Sequence, residues 1–167
     1  CASFRVLCKM RGAGMVYTDM IDSDVFCDFL ETHSEKEAIK MFINPQEDEL
    51  PLVCQMVGSK AGNLLRTADV LSKCASAIDL NLGCTLGKIL GKKAGAYFLK
   101  HPDQLIKIVK ELRTSIKIPF FAKIRSGWDE NSVNALELSQ NLEKEGIDAI
   151  ALHPRTKVDG YSKKADW

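Results

Sequence analysis

Apolar positions along this chain switch between two spacings, and the switching lays out its elements in order. From Ser3 to Arg11, Phe4, Leu7, Cys8 and Met10 recur at helical spacing. Gly12-Ala13-Gly14 breaks that run, and Met15-Val16-Tyr17-Thr18 predicts a strand. Ser34 with Glu37 three residues on is a capping-box signature, predicting a helix through Phe42. After Pro45 and an acidic turn, residues 52–57 form a buried-looking strand closed by Gly58. Leu64, Leu65, Ala68 and Leu71 mark one face of a helix over 60–75, and a strand over 77–82 follows. The glycine- and lysine-rich stretch 83–95 then interrupts the alternation. Leu105, Ile106, Val109 and Leu112 define a helix over 102–115, and Pro119 opens a strand over 120–124. A helix over 131–145 stops at Gly146, and a strand over 149–152 ends at His153.

Helices and apolar strands that alternate across short connections imply parallel strands covered by helices. Two architectures meet that description: an open doubly wound sheet and part of a (β/α)8 barrel. Polar residues at the strand ends separate them. Thr18 and Asp19, Gln55, Asn81 and Cys84, Lys123 and Arg125, and His153 and Arg155 follow five successive strands at their C-terminal ends. A ring of such groups describes a barrel mouth. An open nucleotide-binding sheet would carry its signal in a glycine-rich GxGxxG loop, and the chain has none. The expected fold is therefore an α/β, (β/α)8 TIM barrel. Only five strands are counted, where a complete barrel takes about 250 residues.

Composition changes this picture little. The 167 residues suit one domain, and 46% hydrophobic with 27% charged residues is globular. A net charge of +1 gives no global attraction to nucleic acid, although Lys88, Lys92, Lys93 and Lys100 cluster, as do Lys157, Lys163 and Lys164. Either group is a solvated surface or a phosphate-facing patch. The six cysteines (1, 8, 27, 54, 74 and 84) show no CxxC pair, so free thiols in a cytoplasmic setting are expected, with no metal site. No apolar stretch reaches the roughly 18 residues of a membrane span.

The strand-end residues suggest a chemistry. Residues 79–84 run Asp-Leu-Asn-Leu-Gly-Cys, delivering Asn81 and then Cys84 past a glycine. Cys84 by itself reads equally as a small buried hydrophobe. Lys123 between Ala122 and Ile124 is costly to bury without a partner. Alone, His153 reads as a structural histidine, and Trp128 and Trp167 as rim packing. Together, Lys123, Arg125, His153 and Arg155 beside Gln55 and Asn81 suit an electron-rich planar ligand such as a flavin edge. A cysteine at such a mouth can act as a general acid.

The words QMVG at 55–58, DLNLGC at 79–84, KIRSGWD at 123–129, HPRT at 153–156 and YSKKADW at 161–167 resemble the tRNA-dihydrouridine synthase family in order and spacing, as does the opening FRVLCKMRGAGMVYTDM. The resemblance spans essentially the whole chain. It implies an FMN-dependent TIM barrel that reduces the C5=C6 bond of specific tRNA uridines, with NADPH (or NADH) as reductant. By similarity Cys84 is the proton donor, and Gln55, Lys123 and His153 line the flavin. Asn81 and Arg155 lie near the flavin and the substrate uracil, with Arg125 close by, and Lys92, Lys93 and Lys163 or Lys164 meet tRNA phosphates.

The chain departs from the family's pattern at Thr85 (usually Pro), Pro154 (usually Gly), Lys163 (often Gly) and Asp19 (often Glu). The resemblance further implies that residues 1–167 form one partial barrel domain, strands 2 to 6. The first strand, the glycine-rich phosphate cradles and the C-terminal helical tRNA-binding domain are expected to lie outside it. Residues 1–167 alone are thus expected to bind FMN poorly and to be inactive. Two other readings remain: a dihydroorotate dehydrogenase-like FMN barrel acting on a free pyrimidine, and a non-catalytic tRNA-binding remnant.

Overall fold

The computed structural model describes all residues 1–167 and places them around one parallel sheet. In chain order the elements are α1 (Ala2–Met10), β1 (Val16–Tyr17), β2 (Ile21–Asp22), α2 (Ser23–Leu30), α3 (Glu35–Phe42), β3 (Leu52–Val57), α4 (Ala61–Leu71), β4 (Ala77–Asn81), α5 (Gly87–Gly91), α6 (Pro102–Ser115), β5 (Phe120–Arg125), α7 (Ala135–Lys144) and β6 (Ala149–His153). The strands lie in the order β1-β3-β4-β5-β6, with β2 also on β3 and every pairing parallel. The short β1 and β2 are two halves of one interrupted strand, so the sheet has five positions and forms a half-barrel, the partial TIM barrel expected.

The interruption is a bulge. Val16 faces Leu52 and Ile21 faces Met56, so five steps on the first strand run against four on β3. The Gln55 N–H, left without its ladder carbonyl, donates instead to Thr18 Oγ1 at 3.0 Å.

Strand alternation sorts the two faces of the sheet. Leu52, Cys54, Met56, Ile78, Leu80, Phe120, Ala122 and Ile124 point to the helices and form one core with Phe26, Leu64, Phe98, Leu105 and Leu138. The register places Gln55 beside Asp79, Asn81 beside Lys123, and Arg125 beside His153 on the opposite face. The polar residues therefore share one surface because each is an odd-numbered step in a run whose even steps are apolar.

Several boundaries differ from the sequence-based expectation. The helix expected over 60–75 stops at Leu71, where the Ser72 hydroxyl donates to the Ala68 carbonyl. The helix expected from 131 begins at Ala135, because Asp129 Oδ1 accepts from the Ser132 hydroxyl and the Asn131 N–H in a tight turn. The predicted capping box forms, with Ser34 and Glu37 bonded reciprocally. Helix α2, which the apolar spacing did not single out, is capped by Asp22 Oδ1 on Asp24 N–H. The stretch 83–95 contains α5, and a 3₁₀ turn over Gly95–Leu99 continues from it.

Helix α1 is anchored by a buried ion pair that spacing does not reveal. Arg5 Nε and Nη2 lie 2.6 and 2.9 Å from the two oxygens of Glu49, and Nη2 also donates to the Ile43 carbonyl at 2.7 Å. Burial would raise Glu49, but hydrogen bonds from Arg5 and the Gln46 N–H, with the Arg5 charge, hold it below the ordinary glutamate value. No helix is long and apolar enough to cross a membrane.

Candidate active site

Asn81, Cys84, Lys123, Arg125 and His153 converge at the C-terminal ends of β4, β5 and β6. With Gly83, Thr85, Leu86 and Tyr161 they line a cleft of about 330 Å³. Cys84 is half-buried and packs with Met20 against Val57, Ile89 and Ala94.

The turn that presents Cys84 is built by Asn81, whose Oδ1 accepts from the N–H groups of Gly83 and Cys84 at 3.1 and 2.9 Å. Asn81 Nδ2 donates to Gln55 Oε1 at 2.8 Å, and Gln55 Nε2 donates to Asp79 Oδ2 at 2.6 Å. Asp79, on the same face, is 1% exposed, and its Oδ1 has no hydrogen-bond partner. Burial pushes the Asp79 carboxyl up, against the pull of the Gln55 hydrogen bond and the Lys123 charge.

On the other side of Cys84, the Ala96 N–H donates to the Cys84 carbonyl at 3.0 Å. Gly95, at φ +63°, allows that approach: a Cβ there would lie 2.8 Å from the Cys84 carbonyl oxygen.

Lys123 is half-buried and makes no hydrogen bond within the chain; burial lowers its amine from the ordinary lysine value, with Asp79 opposing and Arg125 adding. Desolvation also lowers His153, reinforced by the charges of Arg125, Lys123 and Arg155. A neutral imidazole results. Arg155 Nη1 lies 3.2 Å from His153 Nε2, and because a guanidinium can only donate, Nε2 is the acceptor and Nδ1 carries the proton. Lys123 and the His153 Nδ1–H are therefore among the donors of the cleft-lining residues that the chain leaves unspent.

Arg125, expected to contact substrate, is 3% exposed and spends its Nε and Nη1 donors on the carbonyls of Gly83, Thr156 and Gly160. It ties the Cys84 turn to the segment after β6, leaving only Nη2 for a ligand. Arg155 Nε is likewise engaged, by the Lys163 carbonyl at 2.6 Å. Gln55 is held at both ends of its amide.

The lysines expected to meet phosphate divide. Lys92 Nζ sits 2.6 Å from Asp22 and 3.7 Å from Asp24, an ion pair that pins the 84–95 segment to β2 and α2 and raises its amine. Lys92 is therefore engaged within the chain. Lys93 is exposed. Lys163 is paired with Asp159 and Glu130.

Trp128 lies between the amines of Lys100 and Lys157, at 4.4 and 4.5 Å, whereas Trp167 is almost wholly exposed rather than packed on a rim. Sequence reasoning missed two residues of the site: Asp79, hidden in an apolar strand, and Tyr161, whose ring lies 5.8 Å from that of His153. A carboxylate inside a continuous apolar run was the available signal for the first.

The donor set fits an electron-rich planar ring. A cation and a neutral imidazole N–H face one cleft, and no acid side chain lines it. The same set would suit the flavin that the sequence resemblance implies.

A model of the dihydrouridine synthase family matches residues 2–167. Among curated proteins, the chain is 31% identical over 166 residues to a probable tRNA-dihydrouridine synthase of Rhizobium leguminosarum, covering 98% of this chain and 50% of that one. It is 33% identical over 165 residues to tRNA-dihydrouridine synthase B of Pseudomonas aeruginosa, covering 98% and 48%. A probable tRNA-dihydrouridine synthase of Aquifex aeolicus is 33% identical over 172 residues, covering 99% and 51%. The chain thus spans about half the length of the curated relatives it matches.

Proposed function

The chain belongs to the dihydrouridine synthase family, and we propose that its half-barrel supplies the proton donor and part of the flavin seat for reducing the C5=C6 bond of uridines in tRNA. The observation that carries this reading is the meeting of Cys84 with Lys123 and His153 in one cleft, among residues that otherwise satisfy one another.

A bound FMN would supply hydride chemistry at this cleft, with NADPH or NADH as the reductant. Lys123 and His153, with Gln55, would hold its ring. Lys123 offers a half-desolvated cation to the edge that gains negative charge, and His153 offers the Nδ1 proton as a neutral donor. Cys84 Sγ would hold the proton destined for C5 of the uracil. Asn81 and Arg155 flank the uracil, and Arg125 fixes the turn that carries Cys84. The target uridine leaves its stack to reach a strand-end cleft. Lys93 and Lys164 contact tRNA phosphates, with Lys92 holding the segment in place.

The test is made on the full natural protein. The expected results are a bound flavin and dihydrouridine formation that needs both NADPH and tRNA. Cys84→Ala should keep the flavin and lower kcat by about 10²–10⁴-fold, the usual worth of a positioned general acid. Undiminished turnover in Cys84→Ala would refute the proton-donor assignment. A colourless protein that still binds tRNA would refute the enzymatic reading.

A further inference from the structure

Asp79 carries no assigned role, yet it terminates an unbroken line of hydrogen bonds that ends at the Cys84 backbone. Each link has a fixed direction. The N–H groups of Gly83 and Cys84 can only donate, so Asn81 must present Oδ1 to them. That turns Asn81 Nδ2 toward Gln55, which must answer with Oε1. Gln55 then has only Nε2 left to face Asp79, and the line closes only because an acceptor oxygen stands there. An amide at Gln55 could otherwise flip; with a donor at its far end the whole series would reverse and strip the two backbone N–H groups of their partner.

We propose that Asp79 is a positioning residue that sets the direction of the Gln55 and Asn81 amides and thereby holds the turn presenting Cys84. The relevance to catalysis rests on the function proposed above, in which Cys84 is the proton donor. The geometric claim does not. Asp79 is suited to the task because its carboxyl group offers an acceptor to Gln55 whether or not it is ionised. Its burial, in the strand just before Asn81, keeps water from competing for that link.

The reasoning predicts a rescue that bulk or charge alone would not give. Gln55→Glu sets two carboxyl groups against each other at Asp79 and, measured at a pH high enough that they do not share a proton, places acceptor against acceptor and breaks the line. Adding Asp79→Asn supplies a donor there, reverses that one link and leaves the rest intact. The measurement is amide hydrogen exchange, followed by mass spectrometry of the peptide spanning Gly83 and Cys84 in the full protein, without flavin or tRNA. Exchange there should quicken by about tenfold in Gln55→Glu and in Asp79→Leu, the fold expected for losing a hydrogen bond of ordinary strength. It should return to within about threefold of the parent in the Gln55→Glu/Asp79→Asn pair.

Unchanged exchange in folded Gln55→Glu would overturn the proposal, as would a double variant exchanging as fast as the single one. If Gln55→Glu does not fold, recovery of folding on adding Asp79→Asn is the expected result, and failure to recover overturns it. Because the readout needs no turnover, a protein that forms no dihydrouridine would sink the proposed function and leave this result standing.

Discussion

Replacing Gly95 by alanine should damage the active site without replacing any residue that would contact substrate. Two separate costs follow from the structure. Gly95 sits at φ +63°, where an L residue loses about 1–2 kcal/mol. The new Cβ would also lie 2.8 Å from the Cys84 carbonyl oxygen and 3.1 Å from its Cβ, whereas ordinary contact begins at 3.4 Å. The carbonyl must therefore yield by about 0.6 Å, the difference between 3.4 and 2.8 Å. Ile89 Cγ2, 3.0 Å from the new Cβ, crowds it as well. If an ångström of misplacement costs about 10²-fold in rate, half that displacement costs about tenfold. Steady-state assay of dihydrouridine formation should show kcat reduced by about tenfold with KM for tRNA little changed, and thermal unfolding should fall by about 2–8 °C. Gly95→Asn, which tolerates the left-handed backbone but brings the same Cβ, should recover part of the thermal loss and none of the rate. Parent kcat in both variants would refute the view that Cys84 is held against Gly95.

Arg5→Met should destabilise the protein by about 3–5 kcal/mol at neutral pH, because it leaves Glu49 charged and fully buried. In the parent, Glu49 is held below its ordinary value, so its contribution is complete above about pH 4.5 and is lost as pH falls through the lower folded value. In the variant the unpaired carboxyl is raised, so the penalty shrinks as pH drops from 7 toward 5. Urea unfolding at both pH values checks this, and a pH-independent penalty would contradict it. Lys93→Glu should weaken tRNA binding and flatten its salt dependence. Lys92→Gln should instead lower the unfolding temperature through loss of its bond to Asp22, and filter binding alongside calorimetry would separate the two lysines.

The strands were legible as short apolar runs between turn signals, and the polar face as the polar residues at their C-terminal ends: residues 120–124 alternate in burial, whereas residues 52–57 are buried at every position but Gln55. The convergence of Asn81, Cys84, Lys123 and His153 followed from counting strand ends. What was hidden was partnership. Nothing local to Arg125 shows that carbonyls at 83, 156 and 160 will consume its donors, nor that Lys92 will find Asp22 across 70 residues. The Arg5–Glu49 pair was hidden for the same reason. Helix α2 escaped notice because a bulge precedes it, so the alternation that would have led into it is out of step.

That bulge carries a further meaning. Removing one of Thr18, Asp19 and Met20 would let the first strand run evenly along β3, with Val16 and Ile21 still facing the core and Gln55 regaining a backbone carbonyl in place of the Thr18 hydroxyl. The sheet would gain regularity. It would lose the reach that brings Met20 against the Val57, Ile89 and Ala94 cluster beside Cys84. Ladder regularity and the completeness of the pocket wall therefore pull this segment toward different lengths. A lineage selected only for robustness would drift to the shorter form, so the surplus residue marks a position where chemistry, rather than folding, sets the length of the chain.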